Sequence, residues 1–236
     1  MVDGWHFSFA GFSDAEWHCI LGTRQGEKTG LGQILDAGHG NLLLDVLRRR
    51  QGTKNFLFAV PKILWTMPGF KEGQIDWFLG KEGIAIEGYE RDMVTDDMAR
   101  QADMHPFIRQ LQDMPTAIIG PKEFRKLGFL KLRHHTIIST PNLHMEQGGI
   151  DKAVADTLAY GSPGVYLVSA GVSAAVIIDR LHDRIPNAWF IDCGSIWDAF
   201  VGLGEQREWR YQLYRNPGKL HLWKDMNIEG KHGRSL

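Results

Sequence analysis

The chain has 236 residues, 43% of them hydrophobic and 11% aromatic, enough to bury a full core in one α/β domain or one domain with an elaboration. A net charge of −1 argues against a wholesale polyanion-binding surface, and two cysteines, Cys19 and Cys193, are too few for a disulfide framework or a zinc site. No apolar run approaches the roughly 18 to 20 residues of a membrane span. No basic segment leads into an apolar one at the N-terminus, so the expectation is a cytoplasmic protein with reduced thiols.

Strand and helix patterns alternate along the chain. Strands are expected at 5–10, 55–60, 83–86, 116–119, 135–139, 164–169 and 188–191. Several are short continuous apolar runs, as expected for strands covered on both faces. Helices are expected at 14–21, 41–50, 73–79, 95–113, 121–127, 150–160 and 172–184. In the last, Ala174, Ile177, Ile178 and Leu181 mark one face. This alternation predicts an α/β fold, a mostly parallel, Rossmann-like sheet flanked by helices, with functional loops at the strands' C-terminal ends. The stretch 22–40 holds six glycines in nineteen residues without convincing periodicity, and reads as a loop beside the site or a long connection. One domain is expected over 1–204, followed by a basic and aromatic extension at 205–236 with seven Lys/Arg against four Asp/Glu.

The first apolar strand closes on Phe12-Ser13-Asp14-Ala15-Glu16-Trp17. In an extended segment, Asp14 and Glu16 would face the same side. Paired carboxylates suit Mg or Mn when water and a diphosphate supply most of the remaining shell. The same residues also spell a capping box, with Ser13 as N-cap and Glu16 reaching back to its amide. Both readings are compatible, because phosphates bind where a helix N-terminus faces a strand end.

Several motifs nearly appear. Gly22 to Thr29 has the wrong spacing and no leading strand for a P-loop. Gly30-Leu31-Gly32 and Gly38-His39-Gly40 lack the third glycine of a dinucleotide fingerprint. None of the ten histidines has the helical spacing of a zinc protease, and the neighbours His134 and His135 would point to opposite faces of a strand. The turn Gly171-Val172-Ser173-Ala174-Ala175 carries three readings. It resembles a nucleophile elbow, with Asp192 or Asp198 and then His221 in α/β-hydrolase order. It also suits a phosphate cradle, with flexible backbone, the exposed amides of the next helix and the Ser173 hydroxyl. A plain N-cap explains it too.

Read together, the segments resemble the GT-D-fold glycosyltransferases. The run from Val165 through Gly171-Val172-Ser173 to Leu181, followed by Trp189 to Phe200 with Asp192-Cys193-Gly194-Ser195, is similar to that family's C-terminal half. The string 12–17 matches its Asp-x-Glu element. Ala117-Ile118-Ile119-Gly120-Pro121 and Thr140-Pro141-Asn142 look like its central Val-Gly-Pro and Pro-x-Asn segments. The matches run in order from about residue 5 to 200. Two positions depart from the family's pattern: its arginine before the aromatic is Gly11, and the glycine inside Asp-x-Glu is Ala15.

The resemblance implies a metal-dependent transferase that takes a sugar from a nucleoside-diphosphate sugar, a UDP sugar among the candidates, to an acceptor hydroxyl. Asp14 and Glu16 would organise a divalent cation, Mn or Mg, at the donor diphosphate. Gly120 and Asn142 would belong to the donor site. Gly171, Val172 and Ser173 would meet the diphosphate or its ribose, and Asp192, Gly194 and Ser195 would shape the sugar pocket. Asp198 is the candidate general base, or else the cap of a short helix. The acceptor is expected to be a glycan, a glycoprotein or a small molecule. The tail's Arg207, Arg210 and Arg215, interleaved with Trp209, Tyr211 and Tyr214, leave a hydroxymethylated DNA base as a less favoured acceptor. A serine hydrolase using Ser173 and a non-catalytic nucleotide-binding protein are the competing classes.

Overall fold

Six segments pair side by side into one parallel sheet: β1 Ser8–Gly11, β2 Phe56–Ala59, β3 Thr116–Gly120, β4 Leu132–Ile137, β5 Gly164–Val168 and β6 Ala188–Asp192. Their order is β2-β1-β6-β5-β3-β4, and every pairing is parallel. The coordinates are a computed structural model that describes residues 4–29, 32–60, 70–71, 73–85, 105–201 and 203. Helices α1 Asp14–Ile20, α2 Ala37–Arg50, α3 Gln74–Lys81, α4 His105–Gln112, α5 Gly149–Tyr160, α6 Ala174–His182 and α7 Asp198–Val201 connect or flank the strands. The expected α/β architecture is therefore observed. No helix among the described residues is long and apolar enough to cross a membrane.

The central strand β5 shows why these strands read as unbroken apolar runs. Tyr166 and Val168 enter a cluster with α1, α2, α5 and α6, while Val165 and Leu167 enter a second with Ile108, Phe124 and Trp197. Alternate residues thus bury on opposite faces, and no position is free to be polar.

The connections divide the C-terminal edge of the sheet. After β1 and β5 the chain passes to the first face, through Ala15 and Trp17 of α1 and through α6. After β3 and β6 it passes to the second, through Phe124 of a 3-10 turn at Lys122–Lys126 and through Phe200 of α7. Neighbours consequently diverge at β6, from both β1 and β5, and between β5 and β3. Ligands of open α/β sheets bind at such switch points.

Several elements differ from the sequence expectation. Asp14 and Glu16 lie in the first turn of α1, as the helix expected at 14–21 has it, so of the two readings of this segment the strand-face geometry does not hold. The expected strand at 83–86 is absent over its described residues: Gly83 (φ +66°) closes α3, its amide reaching Gly80 O and that of Ile84 reaching Leu79 O. This is a Schellman end, and Ile84 is apolar because it packs back on the helix. The helix expected at 121–127 is only the 3-10 turn, and α2 starts four residues early because Asp36 caps it, accepting from His39 N at 2.7 Å. Of the helix expected at 95–113, only α4 falls within the described residues.

Candidate functional site

The crevice between β1 and β6 is lined by carboxylates. Asp192 ends β6, with Oδ2 accepting from Gly11 N (3.1 Å) at the end of β1 and Oδ1 accepting from Gly194 N (2.9 Å). Gly11 permits this approach, since a Cβ there would lie 3.1 Å from Asp192 Oδ2. Gly194 has φ +49°, which turns its amide back onto Asp192. Gly11 thus serves here as the close contact of an acid.

Glu16 is buried, and its Oε2 accepts from Ser13 N (2.9 Å) and from Ser13 Oγ (2.5 Å). The capping box is formed. Ala15 is helical and buried, a place where alanine is favourable. Burial pushes the Glu16 carboxyl above its ordinary range, and the Ser13 hydrogen bonds only partly oppose that shift. Burial, aided by the Glu16 charge, pushes Asp192 up to about 7. No basic side chain among the described residues offsets either acid. A buried and a half-buried carboxylate without a compensating charge are oxygen donors a hard divalent cation takes, with water and a diphosphate filling the shell. The carboxylates fit such an ion. Three or more His, Cys, Asp or Glu placed to hold one do not occur among the described residues, so the protein alone would not complete the shell.

The second cluster surrounds the end of β5. Gly171 opens a 3-10 turn, Gly171–Ser173, that leads into α6. Its φ is +55°, and a Cβ built on it would fall on the side-chain amide of Gln33. Val172 O accepts from His39 Nε2 at 2.7 Å. Ser173 is fully buried, and its Oγ has no partner among the described residues; Ser169 Oγ is likewise unpartnered. Gly120, at the end of β3, carries its carbonyl to Ile138 N and His135 Nε2, and a Cβ there would press on Phe124 at 2.9 Å. Gly120 is accordingly a packing glycine beside Ser169.

Asn142 reaches the site through the glycine-rich loop. Its Nδ2 donates to Gly32 O (3.1 Å) and its Oδ1 accepts from Ile34 N (2.6 Å). His144 Nε2 donates to Ile34 O, and its ring lies 4.7 Å from that of His39. Burial holds the His39 imidazole down to about 4 and lowers that of His144. The loop that lacks helical or strand period is thereby strapped onto the turn at Gly171.

Asp14 is half-buried at the start of α1. Ser195 is half-buried, and its carbonyl accepts from the amide of Asp198, which heads α7 on the opposite face of the sheet from α1. The structure therefore joins Gly11, Glu16, Asp192 and Gly194 in one cluster and Gln33, Asn142, Gly171 and Val172 in another, with Val168 of β5 in register with Asp192. His221 and the residues 205–236 lie outside the described residues. Gln33, His39 and His144 were not expected from sequence. The Asp36 cap three residues before His39, and the histidine two residues past Asn142, were the local signals available.

No family model matches the chain, and no curated protein matches its sequence. Three solved structures share its fold. A selenomethionine-substituted domain of unknown function 1792 aligns at 15% identity and TM-score 0.57, over 89% of this chain and 76% of the other. A second structure, described as a highly conserved domain of unknown function 1792 with a distinct glycosyltransferase fold, aligns at 14% identity and TM-score 0.55, over 89% and 76%. A third, described as a new glycosyltransferase of that domain type from Streptococcus sanguinis, aligns at 12% identity and TM-score 0.57, over 89% and 78%. At these identities the likeness establishes the fold: the chain adopts the open parallel α/β architecture of structures described as a glycosyltransferase fold.

Proposed function

We propose that the protein is a glycosyltransferase that moves a sugar from a nucleoside-diphosphate sugar to an acceptor hydroxyl, assisted by a divalent cation. The observation that carries this reading is the uncompensated pair Glu16 and Asp192 at the crevice between β1 and β6, one strand from the turn at Gly171. The shared fold supports it. Asp14 and Glu16 hold the cation, which supplies Lewis-acid neutralisation of the leaving diphosphate. Gly171 and Val172 offer backbone to the diphosphate, Ser173 supports that turn from beneath with its buried hydroxyl, and Gly194 and Ser195 border the sugar.

In the transfer, the acceptor oxygen bonds to the anomeric carbon, the bond from that carbon to the diphosphate oxygen breaks, and the acceptor proton passes to a carboxylate. Asp192 is better placed for that proton than Asp198. It ends β6 at the crevice beside Glu16, where a carboxylate can take the acceptor's proton. Asp198 instead heads the short α7 on the other face.

Calorimetric titration with a panel of nucleoside diphosphates, with and without manganese, tests the donor site. Asp14→Asn and Glu16→Gln should each abolish manganese-dependent binding while thermal unfolding stays cooperative. Glutamine can still accept from Ser13, so unchanged binding by both variants would reduce the motif to its capping role. The hydrolase alternative fares less well, because Ser173 Oγ is fully buried with no base beside it among the described residues. A non-catalytic nucleotide-binding protein would bind the donor but release no sugar, to water or to any acceptor.

A further inference from the structure

We propose that Gln33 is a ligand-contacting residue whose carboxamide donates a hydrogen bond to a phosphate oxygen of the bound donor, over the turn at Gly171. This inference rests on the donor-site reading above and assigns the group that reads the diphosphate.

The backbone of Gln33 is fixed on both sides. Its carbonyl accepts from Thr29 N at 2.8 Å, and its amide donates to Thr29 Oγ1 at 3.2 Å. The residues flanking it are both held by one side chain, with Asn142 binding Gly32 O and Ile34 N. A side-chain amide that bridges the residues before and after a position imitates a neighbouring strand, and it sets the direction in which the middle side chain projects. Here that direction is onto Gly171, close enough that any Cβ on Gly171 would overlap the Gln33 amide nitrogen.

The side chain so positioned makes no hydrogen bond among the described residues, although Gln33 is only 8% exposed. Its amide atoms are not among the unpartnered polar atoms sealed from solvent, so they stay within reach of water or a ligand. The unpartnered Ser173 hydroxyl, fully buried at the start of the nine-residue α6, marks the same turn as short of hydrogen-bond partners. The amide dipole end of that helix favours an anion. A carboxamide N–H and a glycine backbone meeting at a helix start suit phosphate oxygens, which accept hydrogen bonds and have none to give.

The test measures binding of uridine diphosphate, guanosine diphosphate, the two nucleosides and inorganic pyrophosphate to the full chain in manganese buffer. Wild type is compared with Gln33→Glu and Gln33→Ala, and thermal unfolding is recorded for each. Gln33→Glu keeps the shape and turns the donor into an anion. It should weaken the preferred diphosphate and pyrophosphate by at least about tenfold, a difference of about 1.4 kcal/mol. Gln33→Ala should weaken them severalfold, and nucleoside binding should hold in both variants. If wild type binds a diphosphate and the folded variants match it, the role of Gln33 is overturned while the glycosyltransferase reading stands. Equal losses for nucleoside and diphosphate overturn the phosphate contact. If wild type binds neither diphosphate nor pyrophosphate, the donor-site reading fails, and this inference fails with it.

Discussion

Asp192 concentrates the chemistry of the site in one titration. Its carboxyl is raised to about 7 by burial and by Glu16, against 3.8 for an ordinary aspartate. Between those values the folded protein holds a proton that the unfolded chain releases, so this group's contribution to stability falls as pH rises through the window and is flat above it. His39 acts in the opposite sense. Held down to about 4 from 6.5, it takes stability away as pH drops through its own window. The two partly cancel in wild type, so the difference between proteins is the informative quantity. In metal-free buffer, Asp192→Asn should gain on the order of 2 kcal/mol relative to wild type between pH 5 and pH 8, read by urea unfolding. A pH-independent difference would show that Asp192 titrates normally. In a transfer assay, Asp192→Asn should lower kcat by about a hundredfold or more while donor affinity changes little, and Asp198→Asn should do neither. The reverse pattern would make Asp198 the base, as the sequence suggested.

At the scale of elements, the start of α2 depends on a crossing with α1. A Cβ on Gly40 would run into the backbone carbonyl of Cys19 and crowd Ile20 N, so the helices touch backbone to backbone. Both helices bracket the strapped loop and the capping box, so this crossing sets the distance between the clusters around Gly171 and Glu16. Gly40→Ala should destabilise the protein by about 1–3 kcal/mol or more, because the obstructing atoms are main chain and cannot rotate away. Chemical denaturation measures this. A neutral or stabilising result, as expected for alanine in an open helix, would refute the close crossing. The sequence presented this segment only as Gly38-His39-Gly40, a failed nucleotide fingerprint. The glycine is explained by a helix 20 residues away, which no local pattern displays.

At the scale of the molecule, α2 is locked to α6 by charge. Arg50, nearly buried, donates from Nε to Asp179 Oδ1 (2.6 Å) and from Nη2 to Asp179 O (2.9 Å) and Asp183 Oδ2 (2.8 Å). Arg49 reaches the other oxygen of Asp179 at 2.5 Å. Asp179→Ala should cost about 3 kcal/mol, since it leaves the nearly buried Arg50 guanidinium with the largely exposed Asp183 as its carboxylate partner. A loss below about 1 kcal/mol would mean that Arg50 swings out to water. Acceptor choice also belongs to this scale. The net charge of −1 offers no long-range attraction to nucleic acid, so oligonucleotide binding should be weak, and neutralising Arg207, Arg210 and Arg215 together should change it little. Fluorescence anisotropy at two salt concentrations checks this, and steep salt dependence lost in the triple variant would point to DNA.

Sequence alone determined the α/β class and all six strands to within a few residues; most are short apolar runs, because strands buried on both faces leave little room for polar residues, and that is visible locally. The capping box at Ser13 and Glu16 was legible for the same reason: its partners are three residues apart. The false strand at 83–86 arose because Ile84, apolar for packing on its own helix end, imitates a strand residue. Only the tertiary structure decided that Asp192 is the acid paired with Glu16, and that the glycine-rich loop is a strap laying Gln33 on Gly171. Those contacts join residues more than a hundred positions apart. They follow from the order in which strands pair, which places the ends of β1, β5 and β6 side by side and which one sequence does not print.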